Sequence, residues 1–86
     1  MNFFVYILES QKNSKLYIGH TNNIERRLSY HNNGYSKSTK NGIPWKLIHT
    51  ENYATRSEAM NRELDLKKLK NPKYNKEVII AGRASR

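Results

Sequence analysis

A carboxylate, Glu63, interrupts the apolar side of a predicted helix in the second half of the chain. The apolar residues of this segment recur at helical spacing, and at about 100° per residue their mean direction falls close to Glu63. They are Ala59, Met60, Leu64, Leu66 and Leu69. A carboxylate among core-facing side chains is costly unless another group compensates its charge. Two interpretations stay open: a buried ion pair with an arginine or with Lys67 one turn along, and a metal-binding or catalytic carboxylate.

Arg27 and His31 form a second candidate group, one turn apart on a predicted first helix. Their spacing places a permanent cation and a titratable base on neighbouring parts of one helix surface. Hydrolysis of a phosphodiester can use both, because the cation stabilises charge on the phosphoryl oxygens and the base activates water. His31 also shares the apolar side of Ile24 and Leu28, so a hydrogen-bonded core histidine is the alternative.

Tyr6 and Tyr17 lie on two short segments that are predicted to form a β-hairpin. A four-residue loop would make the two tyrosines face each other across the strand pair, and a five-residue loop would shift the match by one. Packing alone explains most tyrosines in strands. Gly19 adds a second signal, because a glycine in or just after a strand often marks a close approach by backbone or ligand.

The net charge of +9 is the strongest global feature of the composition. Sixteen Lys and Arg residues oppose seven Asp and Glu residues, and Glu25 is the one acid between Lys12 and Lys46. Such an excess favours a polyanionic partner, most often nucleic acid, over a solvated basic surface without a target. The residues predicted to contact nucleic acid are Lys12, Lys15, Arg26, Lys37, Lys40, Lys46 and Lys67.

Strands and a first helix must position these side chains. Residues 3–8 are apolar on both faces, which predicts a central strand covered on both sides. Asn22, with Glu25 three residues later, predicts the start of the first helix, and Asn33-Gly34 predicts its end. We therefore expect strands at residues 3–8, 16–19 and 45–53 and a helix at residues 22–33.

A second helix is predicted from Thr55 or Ser57 to about Lys70. Thr55 and Glu58 fit a capping box at its start, and Asn71-Pro72 stops it. Residues 73–81 are a candidate short final helix, and residues 82–86 are predicted to be a loose tail.

Length and composition limit the class of protein. The 86 residues fit one domain, predicted to span residues 1–81. The sequence contains no cysteine, which excludes disulfides and Cys-ligated metal sites. No apolar run approaches the roughly 20 residues that cross a bilayer. Residues 1–9 lack the basic lead-in and cleavage site of a signal peptide, so we expect a cytoplasmic protein without a membrane partner.

The ordered set of these residues resembles the signature of the GIY-YIG nucleases. Phe4-Val5-Tyr6 and Tyr17-Ile18-Gly19 are similar to the two tyrosine motifs, although Phe4 replaces the glycine of the first. The resemblance covers roughly residues 3–70, and Pro44-Trp45 before the third strand is similar to the small stand-alone bacterial members, which are often compared with the N-terminal domain of UvrC. Further positions at the family's spacing are Thr21, Arg26-Arg27, His31, Ala59-x-x-x-Glu63 and Lys67.

The resemblance implies a small α/β fold, a three-stranded antiparallel sheet flanked by helices in the order β-β-α-β-α. It implies cleavage of DNA phosphodiester bonds with one divalent metal, Mg²⁺ or Mn²⁺. Glu63 would be the sole protein ligand, which suits a hard cation that keeps several waters. Arg27 would stabilise the pentavalent phosphate. Tyr17, helped by Tyr6 or His31, would position or deprotonate the attacking water; the ordinary pKa of tyrosine is about 10, so nearby cations must assist.

Three functional interpretations are compatible with the composition. The first is a metal-dependent endonuclease or structure-selective nuclease, and the second is a nucleic-acid-binding module on the same scaffold that cleaves weakly or not at all. The third, a small basic protein that contacts RNA or the ribosome, predicts no convergence of Glu63, Arg27 and the tyrosines. The family also commonly uses an asparagine beyond the metal-binding helix, for which Asn71 and Asn75 are candidates.

Overall fold

The computed structural model describes residues 2–69. The elements in chain order are β1 (Phe3–Ser10), β2 (Leu16–Thr21), α1 (Ile24–Asn32), a short 3₁₀ helix (Lys40–Gly42), β3 (Trp45–Tyr53) and α2 (Arg56–Leu69). The predicted β-β-α-β-α order is confirmed. The predicted helix at 73–81, the predicted domain end at 81, the predicted tail at 82–86, and Asn71 and Asn75 lie outside the described residues. Within residues 2–69, no helix has the length and apolar character that crossing a bilayer requires.

The strand β1 is the centre of a three-stranded antiparallel sheet with the order β2-β1-β3. Its central position was predicted from apolar residues on both faces, and the structure confirms it. Ile7 faces one apolar layer and Leu8 faces the other, and both are fully buried. The site residues of β1 therefore stand in the middle of the molecule rather than at its edge.

The register of the hairpin decides where the two tyrosines lie. Tyr6 pairs with Gly19, and Leu8 pairs with Tyr17. Two registers were predicted from the loop length: direct opposition of Tyr6 and Tyr17, and a pairing shifted by one residue. Both are wrong, because the observed pairing is shifted by two residues. The two rings are diagonal neighbours on one face of the sheet, because the hairpin closes with the Ser10 amide donating to the Lys15 carbonyl oxygen at 2.8 Å.

Each face of the sheet has its own apolar layer. The layer under α2 consists of Val5, Ile7, Ile18, Ala59 and Leu66. The layer under α1 consists of Tyr6, Leu8 and Trp45, with Tyr17, Ile24, Leu28, Ile43 and Leu47 packed against it. The predicted tyrosines and the first helix therefore share one face, and α2 approaches from the other.

The helix starts differ slightly from the prediction. The N-cap of α1 is Asn23, not Asn22: its side-chain oxygen accepts from the Arg26 amide at 3.0 Å. The Thr21 hydroxyl oxygen accepts from the Asn23 amide at 3.1 Å, which keeps the chain in a turn for one more residue. The predicted capping box of α2 is confirmed, because the Glu58 amide donates to Thr55 Oγ1 and the Thr55 amide donates to Glu58 Oε1, both at 3.2 Å.

The buried face of α2 differs from the predicted one. Met60 and Leu64 are 45% and 55% exposed, whereas Arg62 is 7% exposed. The core-facing positions are Ala59, Arg62 and Leu66, and Glu63 lies beside this face rather than at its centre. The prediction from apolar residues alone was wrong because a buried ion pair with β3 turns Arg62 towards the sheet.

That ion pair joins Arg62 to Glu51 of β3. Arg62 Nε donates to Glu51 Oε1 at 2.9 Å, the Tyr53 hydroxyl donates to the same oxygen at 2.6 Å, and His49 Nε2 lies 2.9 Å from Oε2. Burial alone would raise the pKa of Glu51, but these hydrogen bonds outweigh it and lower the pKa to about 2. Glu51 is therefore a carboxylate that stays ionised in the core.

Replacing Glu51 tests how much this pair contributes to the fold. Glu51→Ala should lower the free energy of unfolding by about 3–5 kcal/mol, because the Arg62 charge stays buried without its counter-charge. Urea denaturation at pH 7 measures the loss, and the double variant Glu51→Leu/Arg62→Met should recover most of it. In the wild type, the contribution of Glu51 is present above the ordinary pKa of 4.5 and is lost as the pH falls towards about 2. A single variant as stable as the wild type would contradict this account.

Candidate active site

A buried chain of hydrogen bonds joins β1 to α1 and to the segment after it. The Tyr6 hydroxyl lies 3.0 Å from His31 Nε2, and His31 Nδ1 lies 2.9 Å from Thr39 Oγ1. The indole N–H of Trp45 donates to the Thr39 carbonyl oxygen at 2.7 Å. Tyr6 and His31 are 3% and 2% exposed, so protein groups alone hold them in place.

Tyr17, on the edge strand β2, completes an aromatic cluster with these residues. Its ring centroid lies 4.8 Å from that of His31, 6.2 Å from that of Tyr6 and 6.4 Å from that of Trp45. Tyr17 is half-buried, while the other three are buried. It is therefore the member of the cluster with the most access to a substrate.

Gly19 leaves the space that the Tyr6 ring occupies. A Cβ at this position would lie 2.6 Å from the Tyr6 hydroxyl oxygen and 2.8 Å from its Cζ, closer than side chains approach. The sequence predicts that Gly19 marks a close approach by backbone or ligand; the group that approaches it is instead a side chain, the Tyr6 ring. A residue with a side chain here would move the Tyr6 hydroxyl away from His31.

Burial and nearby charges set the protonation of the Tyr6–His31 pair. Burial, and then the neighbouring Tyr17 hydroxyl, raise the pKa of Tyr6, while Arg27 acts to lower it and Glu63 to raise it. Burial and then Arg27 lower the pKa of His31. At neutral pH Tyr6 thus keeps its proton and His31 is neutral. The Tyr6 hydroxyl can then donate to Nε2 of His31 while the Nδ1–H of His31 donates to Thr39.

Arg27 lies one turn before His31 on α1 and is partly exposed. Its guanidinium carbon sits 5.0 Å from the centroid of the Tyr30 ring. An open concavity at this end of the molecule is lined by Thr21, Asn22, Arg26, Arg27 and Tyr30. Arg27 therefore presents a positive charge to a surface that a ligand can enter.

Glu63 reaches towards β2 from the opposite helix. Its Oε1 lies 2.7 Å from His20 Nδ1, and Lys67 Nζ donates to its Oε2 at 2.7 Å. Burial alone would raise the pKa of Glu63, but the hydrogen bonds from Lys67 and His20 outweigh it and hold the pKa below its ordinary value. The carboxylate is thus charged at neutral pH, with Lys67 as the predicted counter-ion and His20 as an unpredicted partner.

Among the described residues, Glu63 could hold a divalent cation only as a single carboxylate ligand, and its two oxygens pair with His20 and Lys67. Within residues 2–69, no group of three or more His, Asp or Glu side chains could hold a metal ion. Mg²⁺ commonly binds one or two carboxylates together with substrate phosphates and several waters, so Glu63 would need a phosphate and waters as its companions. The half-exposed Lys67 is the group that such a cation would replace.

The predicted nucleic-acid contacts are all exposed. These residues are Lys12, Lys15, Arg26, Lys37, Lys40, Lys46 and Lys67. Arg26 borders the concavity, whereas Lys67 is paired with Glu63. The structure therefore brings Tyr6, Tyr17 and His31 together, with the charges of Arg27 and Glu63 within electrostatic range of Tyr6.

The sequence analysis predicts no role for three residues of this region, His20, Thr39 and Arg62. Strand alternation with Ile18 would have placed His20 on the α2 side of β2, where it meets Glu63. Thr39, in an irregular segment, has no periodic signal, and Arg62 is a charged residue on a helix whose burial depends on Glu51 across the fold.

Known proteins resemble this chain along most of its length. A family model described as the GIY-YIG catalytic domain matches residues 2–75. A UPF0213 protein of Natronomonas pharaonis is 40% identical over 79 residues, which cover 91% of this chain and 89% of that protein. A UPF0213 protein of Bacillus licheniformis is 44% identical over 78 residues, which cover 90% of this chain and 77% of that protein. The matched range includes every residue of the aromatic cluster, Arg27 and Glu63.

A solved structure has the same fold. The solution NMR structure of the UPF0213 protein BH0048 from Bacillus halodurans has a TM-score of 0.56 and 34% sequence identity to this chain. The match covers 94% of this chain and 84% of that one. The small α/β architecture expected from the sequence is therefore found in a related protein.

Gly19→Ala tests the role of the close packing between Gly19 and Tyr6. We expect the added methyl group to displace the Tyr6 ring and to destabilise the protein by about 1–3 kcal/mol, as overpacking does in a filled core. Thermal or urea denaturation measures the loss. The double variant Gly19→Ala/Tyr6→Ala should relieve the clash, so the two changes should not be additive. Additive losses would show that Gly19 and Tyr6 act independently.

Proposed function

The chain belongs to the GIY-YIG family, and from this membership we propose that it is an endonuclease that hydrolyses DNA phosphodiester bonds with one divalent cation, Mg²⁺ or Mn²⁺. The observation that carries the proposal is the contact between the protonated Tyr6 hydroxyl and a neutral, buried His31. Tyr17 beside this pair supplies a more accessible hydroxyl.

The tyrosines and the histidine provide a path for a proton. In the proposal, Tyr17 meets the attacking water, its oxygen takes a proton from that water, and its own proton passes to the Tyr6 oxygen. The Tyr6 proton moves to His31 Nε2, which becomes an imidazolium. The hydroxide attacks phosphorus, the bond to the 3′ oxygen breaks, and the leaving 3′ oxygen takes a proton from solvent. His31 then returns its proton to solvent through the same groups.

Arg27 and Glu63 supply the charges that the reaction needs. Arg27 would contact a phosphoryl oxygen and stabilise the negative charge that develops there. Glu63 would hold the divalent cation, which when bound supplies further positive charge to the phosphoryl and leaving oxygens. A cation would first have to displace Lys67, whose side chain is 49% exposed, from the Glu63 carboxylate, whose side chain is 15% exposed.

The exposed basic residues would hold the DNA backbone. The net charge of +9 supports this, and the arginines at the concavity lie close to the cluster. Phosphate contacts release counterions, so affinity for DNA should fall as the salt concentration rises. These contacts fix the position of the backbone and leave the base sequence unread.

A second candidate function is DNA binding with little or no cleavage. The observation that favours it is the pairing of both Glu63 oxygens with His20 and Lys67, which a cation must compete against. The two functions differ in one measurement, the cleavage of labelled single-stranded, duplex and branched DNA with Mg²⁺ or Mn²⁺. Cleavage supports the endonuclease, and binding without cleavage of any of these forms supports the second candidate.

Glu63→Ala separates cation binding from DNA binding. We expect cleavage to fall by about 10²–10³-fold or more, because the variant loses the ligand of a cation that stabilises the transition state. DNA affinity in EDTA should stay the same or rise, since an acid near the phosphates has been removed. Gel assays of cleavage and fluorescence anisotropy measure the two effects. The exposed acid Glu25, changed to Gln, is the matched control and should cleave like the wild type. Equal cleavage by Glu63→Ala would contradict the assignment.

Arg27→Ala should affect both cleavage and binding. Loss of a charge contact to the transition state predicts a cleavage rate about 10²–10³-fold lower at saturating DNA. Loss of a phosphate contact predicts weaker binding, with the slope of log affinity against log salt reduced by about 0.7–0.9. The exposed Lys68, changed to Ala, controls for net charge and should keep the wild-type rate. If Arg27→Ala leaves the cleavage rate at saturating DNA unchanged, Arg27 contributes to DNA binding alone and the transition-state role is wrong.

A further inference from the structure

Two tyrosines, Tyr30 and Tyr35, are exposed at the C-terminal end of α1. Tyr30 is 38% exposed and Tyr35 is 70% exposed. Their ring centroids lie 5.7 Å apart with an angle of 33° between the planes. Neither hydroxyl nor ring is used by the proton path proposed above. A large aromatic surface is therefore open to solvent on a strongly basic protein.

The helix cap places Tyr35 on Tyr30. Gly34 adopts φ 79°, the left-handed conformation that ends many helices. The Gly34 amide donates to the His31 carbonyl oxygen at 3.2 Å, and the Tyr35 amide donates to the Tyr30 carbonyl oxygen at 3.3 Å. This pattern is a Schellman motif, which normally includes an apolar contact between these two positions. The cap accounts for one contact between the rings, and any apolar side chain at position 35 could make it.

The exposed rings continue into the candidate active site. The Tyr30 ring meets His31 edge-on, with 5.7 Å between the ring centroids, and carries the Arg27 guanidinium over its face. Tyr30 also lines the open concavity beside Arg27. A row of rings thus runs from the exposed Tyr35 through Tyr30 to the buried His31. A nucleotide whose phosphate contacts Arg27 would have its neighbour next to Tyr30 and Tyr35.

We propose that Tyr30 and Tyr35 form a stacking platform for an unpaired DNA base beside the phosphate at Arg27, so that the substrate contains a single-stranded segment. The inference rests on the proposed action on DNA. An aromatic ring beside basic residues is the arrangement by which proteins hold single-stranded nucleic acid, because every base has a face that can stack. In a duplex each base is already stacked on its neighbours, so a surface ring engages an unpaired or extruded base. The exposed Lys37 and Lys40 follow Tyr35 and can contact the backbone of the same strand.

The test measures binding rather than cleavage. Wild type, Tyr35→Ala, Tyr35→Leu and Tyr35→Trp are titrated in EDTA against three fluorescein-labelled ligands of equal length. The ligands are a single-stranded oligonucleotide, the same strand with abasic sites throughout, and a blunt-ended duplex. Tyr35→Leu retains the apolar contact of the helix cap but cannot stack a base, and thermal denaturation verifies that each variant is folded.

We expect Tyr35→Ala and Tyr35→Leu to bind the intact single strand about 5- to 100-fold more weakly than the wild type. Tyr35→Trp should bind it as tightly or more tightly. Affinity for the abasic strand and for the duplex should not change in any variant, and the salt dependence should also stay the same, because no charge is removed.

Three outcomes would overturn the platform: no loss of affinity for the intact strand, an equal loss for the abasic strand, or recovery of binding by Tyr35→Leu. The last would assign Tyr35 to the helix cap alone. Because EDTA prevents cleavage, the result is independent of catalysis. If the wild type cleaves DNA but the Tyr35 variants bind the single strand as tightly as it does, this inference alone is refuted. If the Tyr35 variants lose affinity for the intact single strand but the wild type cleaves no DNA, the inference is supported and the endonuclease is refuted.

Discussion

The hydrogen bond between the Tyr6 hydroxyl and His31 is the interaction on which the rest of the site depends. It joins the central strand to α1 through two side chains that are both buried, so neither can exchange its partner for bulk water. Position 19 is a glycine because the Tyr6 ring fills the space above it. Thr39 holds the other nitrogen of His31, and Trp45 holds the backbone of Thr39. Since a buried polar group without its partner is costly, folding itself assembles this pair.

The sheet separates two buried polar centres with different electrostatics. On the α2 side, the Glu51 carboxylate is surrounded by donors that keep it ionised far below neutral pH, which suits a group that serves the fold. On the α1 side, Tyr6 and His31 are both uncharged at neutral pH; Arg27 acts on the pKa of both, and Glu63 acts on that of Tyr6. A pair that is neutral at rest, with charges of both signs nearby, can change its protonation during a reaction.

The local features of this fold could be predicted from the sequence, and the long-range ones could not. Strand order, helix order and the α2 capping box follow from hydropathy period and capping chemistry, which depend on neighbours in the chain. The buried face of α2 depends on Arg62, whose burial is favourable only because Glu51 lies opposite it. His20 follows the strand period, but its contact with Glu63 requires β2 and α2 to be packed. The resemblance to the GIY-YIG motifs indicated Tyr6, and the fold supplied its environment.

The alternation of side chains along β1 restricts where this chain can change its length. Val5 and Ile7 face the layer under α2, whereas Tyr6 and Leu8 face the layer under α1. Inserting or deleting one residue within the strand would exchange the two sets and move a phenol into the apolar layer under α2. The turn at residues 11–15 is exposed throughout, so it can gain or lose residues without that exchange. The alternation along β1 thus fixes which residues face each helix. A one-residue insertion or deletion inside the strand would remove Tyr6 from the α1 side, even where the rest of the chain is unchanged.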